Sequence, residues 1–378
     1  MTPDPDTGTF RVRLALEQDR SLLRELRFSG ARVTDVEGDG TLSRDGDDYV
    51  WQPPATGGTL EWRANARHKR SSGGHDAWLD GDFGLLRMED VIPRAATRHM
   101  KGSVSDTWLR FRLPDGWSVV TEYKDEGGRM AVTSRDRSLT LPTGWMVMGE
   151  LGVRRELIAG TRVAVAGPVG HDVRRMDIVA FLNWTLPQLA RVLPEPPARI
   201  TVVSAGGPMW RGGLSAPQSL YLHADRPLLS ENATSTLLHE VMHVAMGASA
   251  ERGYDWIVEG FAEFYSLEIL RRSGGITLPR YRAALADLAE WGESADVLCD
   301  RSSTGSETAL AVTVLERLDG EIRSKTGGEH SLDDVLHAVL EADRKFSLER
   351  LRDTVRDLID TVPDSLQDRN LPGCADAG

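Results

Sequence analysis

One segment limits most strongly what this chain can fold into and what chemistry it can carry. It contains two histidines and a glutamate among residues that are otherwise apolar. His239-Glu240-Val241-Met242-His243 places the histidines four residues apart, so that on a helix both imidazoles project from one face. The flanking residues are apolar nearly all round, which predicts burial: Leu237, Leu238, Val244, Ala245 and Met246. Buried polar groups cost free energy unless something satisfies them. The sequence therefore predicts a buried helix, capped by Ser230, whose imidazoles bind a metal ion.

The chemistry of such a segment is that of a zinc site. Two imidazole nitrogens can share one tetrahedral Zn²⁺, and Glu240 can then lie beside the open position as a general base. The longer pattern with a third histidine is excluded, because it requires glycine at Met246 and histidine at Ser249. A structural zinc closed by cysteines is disfavoured, because neither cysteine lies near the motif.

The third ligand is predicted on the following helix. Glu259 lies 16 residues after His243, beyond a turn at 247–253, and we expect it to complete a His₂Glu site. Glu263 lies one helical turn further along. It can accept a hydrogen bond from the distal nitrogen of a liganding histidine, although a solvated surface carboxylate is an equally good interpretation.

Composition narrows the range of partners. The 378 residues include 45 basic and 57 acidic side chains, a net charge of −12, which argues against nucleic acid as a partner. No run of 18 apolar residues occurs, so no transmembrane segment is predicted.

The first residues do not resemble a signal peptide. The interpretation is either a cytoplasmic protein or a periplasmic or secreted one whose signal has been removed. The oligomeric state stays open.

Two cysteines, Cys299 and Cys374, allow two interpretations. They are either unrelated thiols or a single bridge that ties the C-terminal tail to the body in an oxidising compartment.

The hydrophobic period changes along the chain and predicts an α+β fold. Residues 1–165 contain short alternating segments separated by Gly and Pro, which predicts an N-terminal antiparallel β domain. After about residue 167 helical spacing dominates, interrupted by two predicted strands at 199–203 and 219–223. We therefore expect a catalytic domain over 166–275 and a helical C-terminal domain over 276–378.

Three stretches resemble one family of metallopeptidases. HEVMH followed by WIVEGFAEFY is similar to the gluzincin aminopeptidases, both the glycyl aminopeptidase family and the leukotriene-A4-hydrolase-like family. Trp210 to Ser215 is similar to their glycine-rich edge-strand motif, and 305–335 resembles the glycyl aminopeptidase helical region. The resemblance implies a thermolysin-like catalytic domain and zinc as cofactor. It also implies that the substrate backbone contacts Gly212, Gly213, Leu214 and Ser215.

Two departures from that family bear on specificity and rate. Ser215 stands where the family has an acidic residue that holds the substrate's α-amine, and Ser302 stands where it has a tyrosine whose hydroxyl stabilises the oxyanion. Losing one such donor typically costs about 10²–10³ in rate. Tyr254, Tyr265 and Tyr281 are the candidates to replace it.

The sequence thus predicts a zinc-dependent peptidase that acts on peptide substrates. Its scaffold is aminopeptidase-like, its specificity is altered, and exopeptidase and endopeptidase action both stay open. The alternative is a catalytically weak or inactive zinc-binding protein that serves as a peptide-binding module. Both departures from the family pattern motivate this second hypothesis.

Overall fold

The N-terminal part of the chain is built almost entirely of β-strands. The computed structural model describes residues 1–133, 141–300 and 302–374. Its first strands are β1 Thr2–Asp4, β2 Thr9–Glu17, β3 Leu23–Ser29, β4 Val33–Gly38, β5 Thr41–Asp45, β6 Asp48–Gln52, β7 Gly57–Asn65, β8 His68–Lys69, β9 His75–Leu79 and β10 Phe83–Arg87. After the short helix α1 (Met88–Val91) come β11 Ala95–His99, β12 Thr107–Leu109, β13 Ser118–Val120, β14 Met130–Val132 and β15 Trp145–Gly149.

These strands form antiparallel sheets with the orders β1-β2-β7-β4, β11-β3-β6-β5, β13-β15-β10-β9-β8 and β12-β14. Alternate side chains point inward, as the period-2 pattern predicts. The inward-facing residues enclose an apolar core that includes the fully buried Phe10, Trp51 and Leu60. Aromatic residues of this size contribute most of the buried apolar area in such a core.

The second part is a mixed sheet with helices packed on one face. Its elements are β16 Leu151–Ile158, β17 Thr161–Pro168, α2 Arg175–Leu189, β18 Arg199–Ala205, β19 Gly213–Ala216, β20 Ser219–His223, α3 Thr236–Met246, β21 Ser249–Ala250 and α4 Asp255–Arg272. The sheet order is β16-β17-β18-β20-β19, in which β17, β18 and β20 are parallel and both outer strands are antiparallel. The short strand β19 therefore lies at the sheet edge, directly against α3.

The remaining described elements are mostly helices. They are α5 Leu278–Gly292, α6 Ser306–Lys325, α7 Leu332–Ala342 and α8 Leu348–Ile359, with a two-residue strand β22 Lys345–Phe346 and two 3₁₀ turns, Asp364–Leu366 and Asp368–Asn370. They share one continuous apolar core with α2, α3, α4 and the sheet. The described residues thus confirm a mixed α/β architecture with several antiparallel sheets and eight α-helices.

The predicted domain division at residue 165 falls inside β17, which pairs with β16 on one side and β18 on the other. A boundary there would cut the five-stranded sheet. We therefore propose that the division between the β-rich part and the catalytic part lies near Glu150, between β15 and β16. The second predicted division, after residue 275, falls between the end of α4 and the start of α5.

Of the two interpretations of the cysteines, the structure has the bridge. Cys299 and Cys374 form a disulfide across 75 residues of sequence, and Leu298 N donates to Pro372 O beside it. The C-terminal segment is thereby tied to the connection between α5 and α6. Among the described residues, no helix is both long enough and apolar enough to cross a membrane.

Replacing one of these cysteines tests the contribution of the bridge to stability. We expect Cys374→Ser to lower the free energy of unfolding by about 2–5 kcal/mol, because an uncrosslinked unfolded chain gains conformational entropy. Urea titration of the variant and of Ser365→Ala, a buried serine in the same segment, gives the comparison. An unchanged unfolding midpoint for Cys374→Ser would mean that the bridge contributes nothing.

Candidate metal centre and substrate edge

The helix α3 presents both histidines of the motif. It begins at Thr236, and its N-cap is Ser235, whose Oγ accepts a hydrogen bond from Leu238 N at 3.2 Å. The predicted cap at Ser230 is therefore wrong: that hydroxyl binds Thr234 in a preceding turn. A helix start five residues later leaves the spacing of the histidines unaffected.

The helix α4 brings the two predicted glutamates to the same place. It packs against α3 and is buried on nearly every face, with Trp256, Ile257 and Phe261 fully inaccessible. Its partly exposed carboxylates point toward the histidines. Glu259 lies 3.3 Å from His239 Nε2 through Oε2, and 3.3 Å from His243 Nε2 through Oε1.

The ligand atoms of three residues therefore converge. His239 Nε2 and His243 Nε2 are 3.1 Å apart, and each lies 3.3 Å from an oxygen of Glu259. Ligand atoms that are each roughly 2.0–2.1 Å from a tetrahedral Zn²⁺ lie about 3.4 Å from one another. The donor set, two imidazoles and a carboxylate, is also the one typical of catalytic zinc. The residues present thus fit a zinc ion in both spacing and chemistry.

Glu263 contacts the far side of the first histidine. Its Oε2 lies 2.8 Å from His239 Nδ1, the distance of a hydrogen bond in which the imidazole N–H donates. Only 15% of its side chain is exposed, so the interpretation of Glu263 as a solvated carboxylate does not hold. This contact fixes the tautomer of His239 and directs Nε2 toward His243 and Glu259.

Charge in the cluster favours a cation. Burial raises the pKa of the Glu259 carboxyl, but hydrogen bonds from His239 and His243 outweigh it and bring the pKa to about 2. Burial lowers the pKa of His239, and its hydrogen bonds to Glu259 and Glu263 reverse this and hold the pKa well above the ordinary value. The carboxylates therefore attract positive charge to this point, which is either a proton or a metal ion.

Glu240 lies between α3 and the sheet edge. It is 8% exposed, and burial raises the pKa of its carboxyl, while His239, His243 and a hydrogen bond from the Ser215 hydroxyl act in the opposite direction. A Cβ on Gly213 would lie 2.9 Å from Glu240 Cγ. The lack of a side chain at Gly213 is therefore what lets the glutamate lie against β19.

The predicted substrate residues of the glycine-rich segment face two directions. Gly213 and Ser215 face α3 and Glu240, whereas Leu214 packs with the apolar residues between the two sheets. A Cβ on Gly212 would meet the six-membered ring of Trp210 at 2.1 Å. Gly212 thus accommodates an indole of this same chain, and Leu214 contributes packing.

The tyrosines proposed to replace the missing hydroxyl are mostly engaged elsewhere. Tyr265 is fully buried and donates to Asp333 Oδ1 at 2.8 Å. Tyr281 hydrogen-bonds Glu268, which Arg271 and Arg272 also bind. Tyr254 immediately precedes α4 and packs at the margin of the helical core.

Sequence reasoning missed one residue near the centre. Asp255 opens α4 four residues before Glu259, and its Oδ2 accepts a hydrogen bond from Ser303 N at 2.9 Å. The only sequence signal was that four-residue spacing, which places both carboxylates on one helix face. Its partner lies 48 residues away and could not be inferred from the sequence.

Comparisons with known proteins place the fold. No protein-family model matches the chain. No curated protein matches its sequence. Solved structures do match. An aminopeptidase N family protein from Idiomarina loihiensis superposes with a TM-score of 0.69 at 16% identity, over 90% of this chain and 69% of the other.

Two further structures agree with it. An M1 zinc metallopeptidase from Deinococcus radiodurans gives a TM-score of 0.60 at 15% identity, over 98% of this chain and 93% of that one. Leukotriene A4 hydrolase from Saccharomyces cerevisiae gives 0.59 at 13% identity, over 98% and 67%. The chain therefore has the fold of these enzymes, a peptidase-like scaffold, and the resemblance seen in the sequence is confirmed at the level of fold.

Removal of Glu263 tests the arrangement around His239. We expect Glu263→Ala to weaken zinc binding by about 10- to 100-fold, because the imidazole loses the partner that orients it. Competition against a chromophoric chelator measures the affinity, with Glu316→Ala on the exposed face of α6 as the matched control. Equal affinities for the two variants would show that Glu263 does not position the histidine.

Proposed function

We propose that this protein is a zinc-dependent peptidase in which His239, His243 and Glu259 hold the metal. The observation that carries the proposal is the convergence of these ligand atoms beside a buried glutamate: the two Nε2 atoms are 3.1 Å apart, and each lies 3.3 Å from one of the Glu259 oxygens. The peptidase-like fold supports it, and so does the zinc metallopeptidase with the same fold.

Glu240 acts as the general base. Zinc held by His239, His243 and Glu259 would act as a Lewis acid that polarises the scissile carbonyl and acidifies a water molecule. Glu240 accepts the proton of that attacking water on its carboxylate and delivers it to the nitrogen of the leaving amine. Burial of Glu240 supports this role, because it raises the pKa of the carboxyl and so makes the carboxylate a stronger base.

The substrate pairs with β19. This strand lies at the sheet edge, so its outer side offers main-chain N–H and C=O groups to an extended peptide. Selection of a free N-terminus requires a negative charge. Ser215 supplies none, and its hydroxyl hydrogen-bonds Glu240. We therefore propose an aminopeptidase-like scaffold with altered specificity, acting on peptides whose α-amine is not the main recognition element.

Replacement of the base separates metal binding from turnover. We expect Glu240→Gln to keep one zinc ion per chain and to lose about 10²–10⁴-fold in peptidase activity, because the amide cannot accept the proton. Metal analysis and a quenched-fluorescence peptide library measure the two quantities on the same preparation. Glu290→Gln, an exposed residue of α5, is the control and should match the wild type.

Three outcomes decide between the hypotheses. Cleavage by the wild type that disappears in Glu240→Gln supports the peptidase. Cleavage that persists unchanged would remove Glu240 from the mechanism. If zinc-loaded wild type binds library peptides but cleaves none, the peptide-binding module is the correct interpretation.

A further inference from the structure

Asp255 links the metal-binding helix to the segment that precedes α6. It lies one turn before Glu259 on the same face of α4. Its Oδ2 accepts the main-chain N–H of Ser303 at 2.9 Å, and Ser303 is 5% exposed. A buried main-chain donor that loses its hydrogen-bond acceptor costs free energy. Asp255 is therefore placed to fix where this segment lies.

The segment Ser302–Gly305 is also fixed from its own helix. Thr304 N donates to Glu307 Oε2 at 3.0 Å, and the hydroxyls of Ser303 and Thr308 lie 3.3 Å apart. These contacts shape the turn at the start of α6. These contacts within the start of α6 do not set the distance between the segment and α4.

The disulfide holds the other end. Cys299 lies three residues before Ser302 and is bonded to Cys374. The segment thus runs between a covalent tie and the first turn of α6. Asp255 is its hydrogen-bonded connection to the helix that carries Glu259.

The connection lies at the metal centre. Asp255 and Glu259 are four residues apart on α4, so their side chains are neighbours on one face of the helix. The Ser303 N–H that Asp255 accepts therefore lies about one helical turn from the proposed metal ligand Glu259.

We propose that Asp255 is a positioning residue that holds Ser302–Gly305 beside the metal centre as one wall of the substrate site. The inference rests on the proposed function, because the wall matters only if substrate binds there. It also explains how a chain with serine at 302 keeps this wall in place: the connection comes from α4, through Asp255, and does not depend on the side chain at 302.

Hydrogen exchange tests the connection independently of activity. We expect Asp255→Ala to accelerate amide exchange in 302–305 by at least about tenfold, since the Ser303 N–H loses its acceptor. Asp255→Asn keeps an acceptor oxygen and should exchange like the wild type. Asp177→Ala, an exposed acid in the first turn of α2, is the matched control. Unchanged exchange in a folded Asp255→Ala would overturn the proposal, and Asp255→Ser replaces that variant if it does not fold.

Kinetics then tests the consequence for substrate. We expect Asp255→Ala to lower kcat by about 10- to 100-fold at unchanged zinc content, because a displaced wall misplaces the substrate. Asp255→Asn should restore most of the loss, which a purely electrostatic effect on the metal would not. If Asp255→Ala instead loses zinc while its kcat per bound zinc ion stays unchanged, Asp255 belongs to metal binding and the proposal is refuted.

A gain-of-function variant tests whether the segment Ser302–Gly305 lies next to the bound substrate. We expect Ser302→Tyr to raise kcat by about tenfold or more, through a new hydroxyl near the developing oxyanion, and to do so only when Asp255 is intact. No gain in the wild-type background would place the segment away from the substrate and overturn the inference. If the wild type cleaves no peptide, the proposed function fails, while the exchange experiment still decides what Asp255 holds.

Discussion

Two histidines and three glutamates lie close together between two helices that are otherwise apolar. The surrounding structure has to offset the free-energy cost of burying these polar groups. Polar groups buried without partners would cost several kcal/mol each. Here Glu259 spans both Nε2 atoms and Glu263 holds the outer nitrogen of His239. The apolar residues of α3 and α4 supply the burial, and the polar residues satisfy one another or a cation. Stability and chemistry thus depend on the same contacts.

The edge strand β19 determines where Glu240 lies relative to the sheet. β19 presents Gly213 and Ser215 to Glu240 on one face, while Leu214 anchors the strand in the core between the sheets on the other. The same short strand therefore positions the proposed base and, as an edge strand, has main-chain groups on its outer side that we propose pair with a peptide. The strand alternation allows one strand to do both, because neighbouring side chains point to opposite faces.

Much of the candidate site could be read from local spacing. Four residues separate His239 from His243 and four separate Glu259 from Glu263, so each pair shares a helix face whatever the rest of the chain does. Boundaries were read less well. The N-cap of α3 is Ser235 and not Ser230, since the cap is decided by which hydroxyl reaches a free N–H of the first turn. Residue 165 lies within β17, so we propose a division before β16; a strand's period does not reveal which sheet the strand joins.

The sequence by itself determined which residues could bind a metal and activate water, because helical periodicity fixes their relative directions over one or two turns. Tertiary structure alone decided what lies around them: Gly213 against Glu240, the bond between Cys299 and Cys374, and the hydrogen bond from Ser303 to Asp255. Those contacts join residues far apart in the chain. No local pattern encodes them, because they exist only once packing has brought α4, α6 and the sheet edge together.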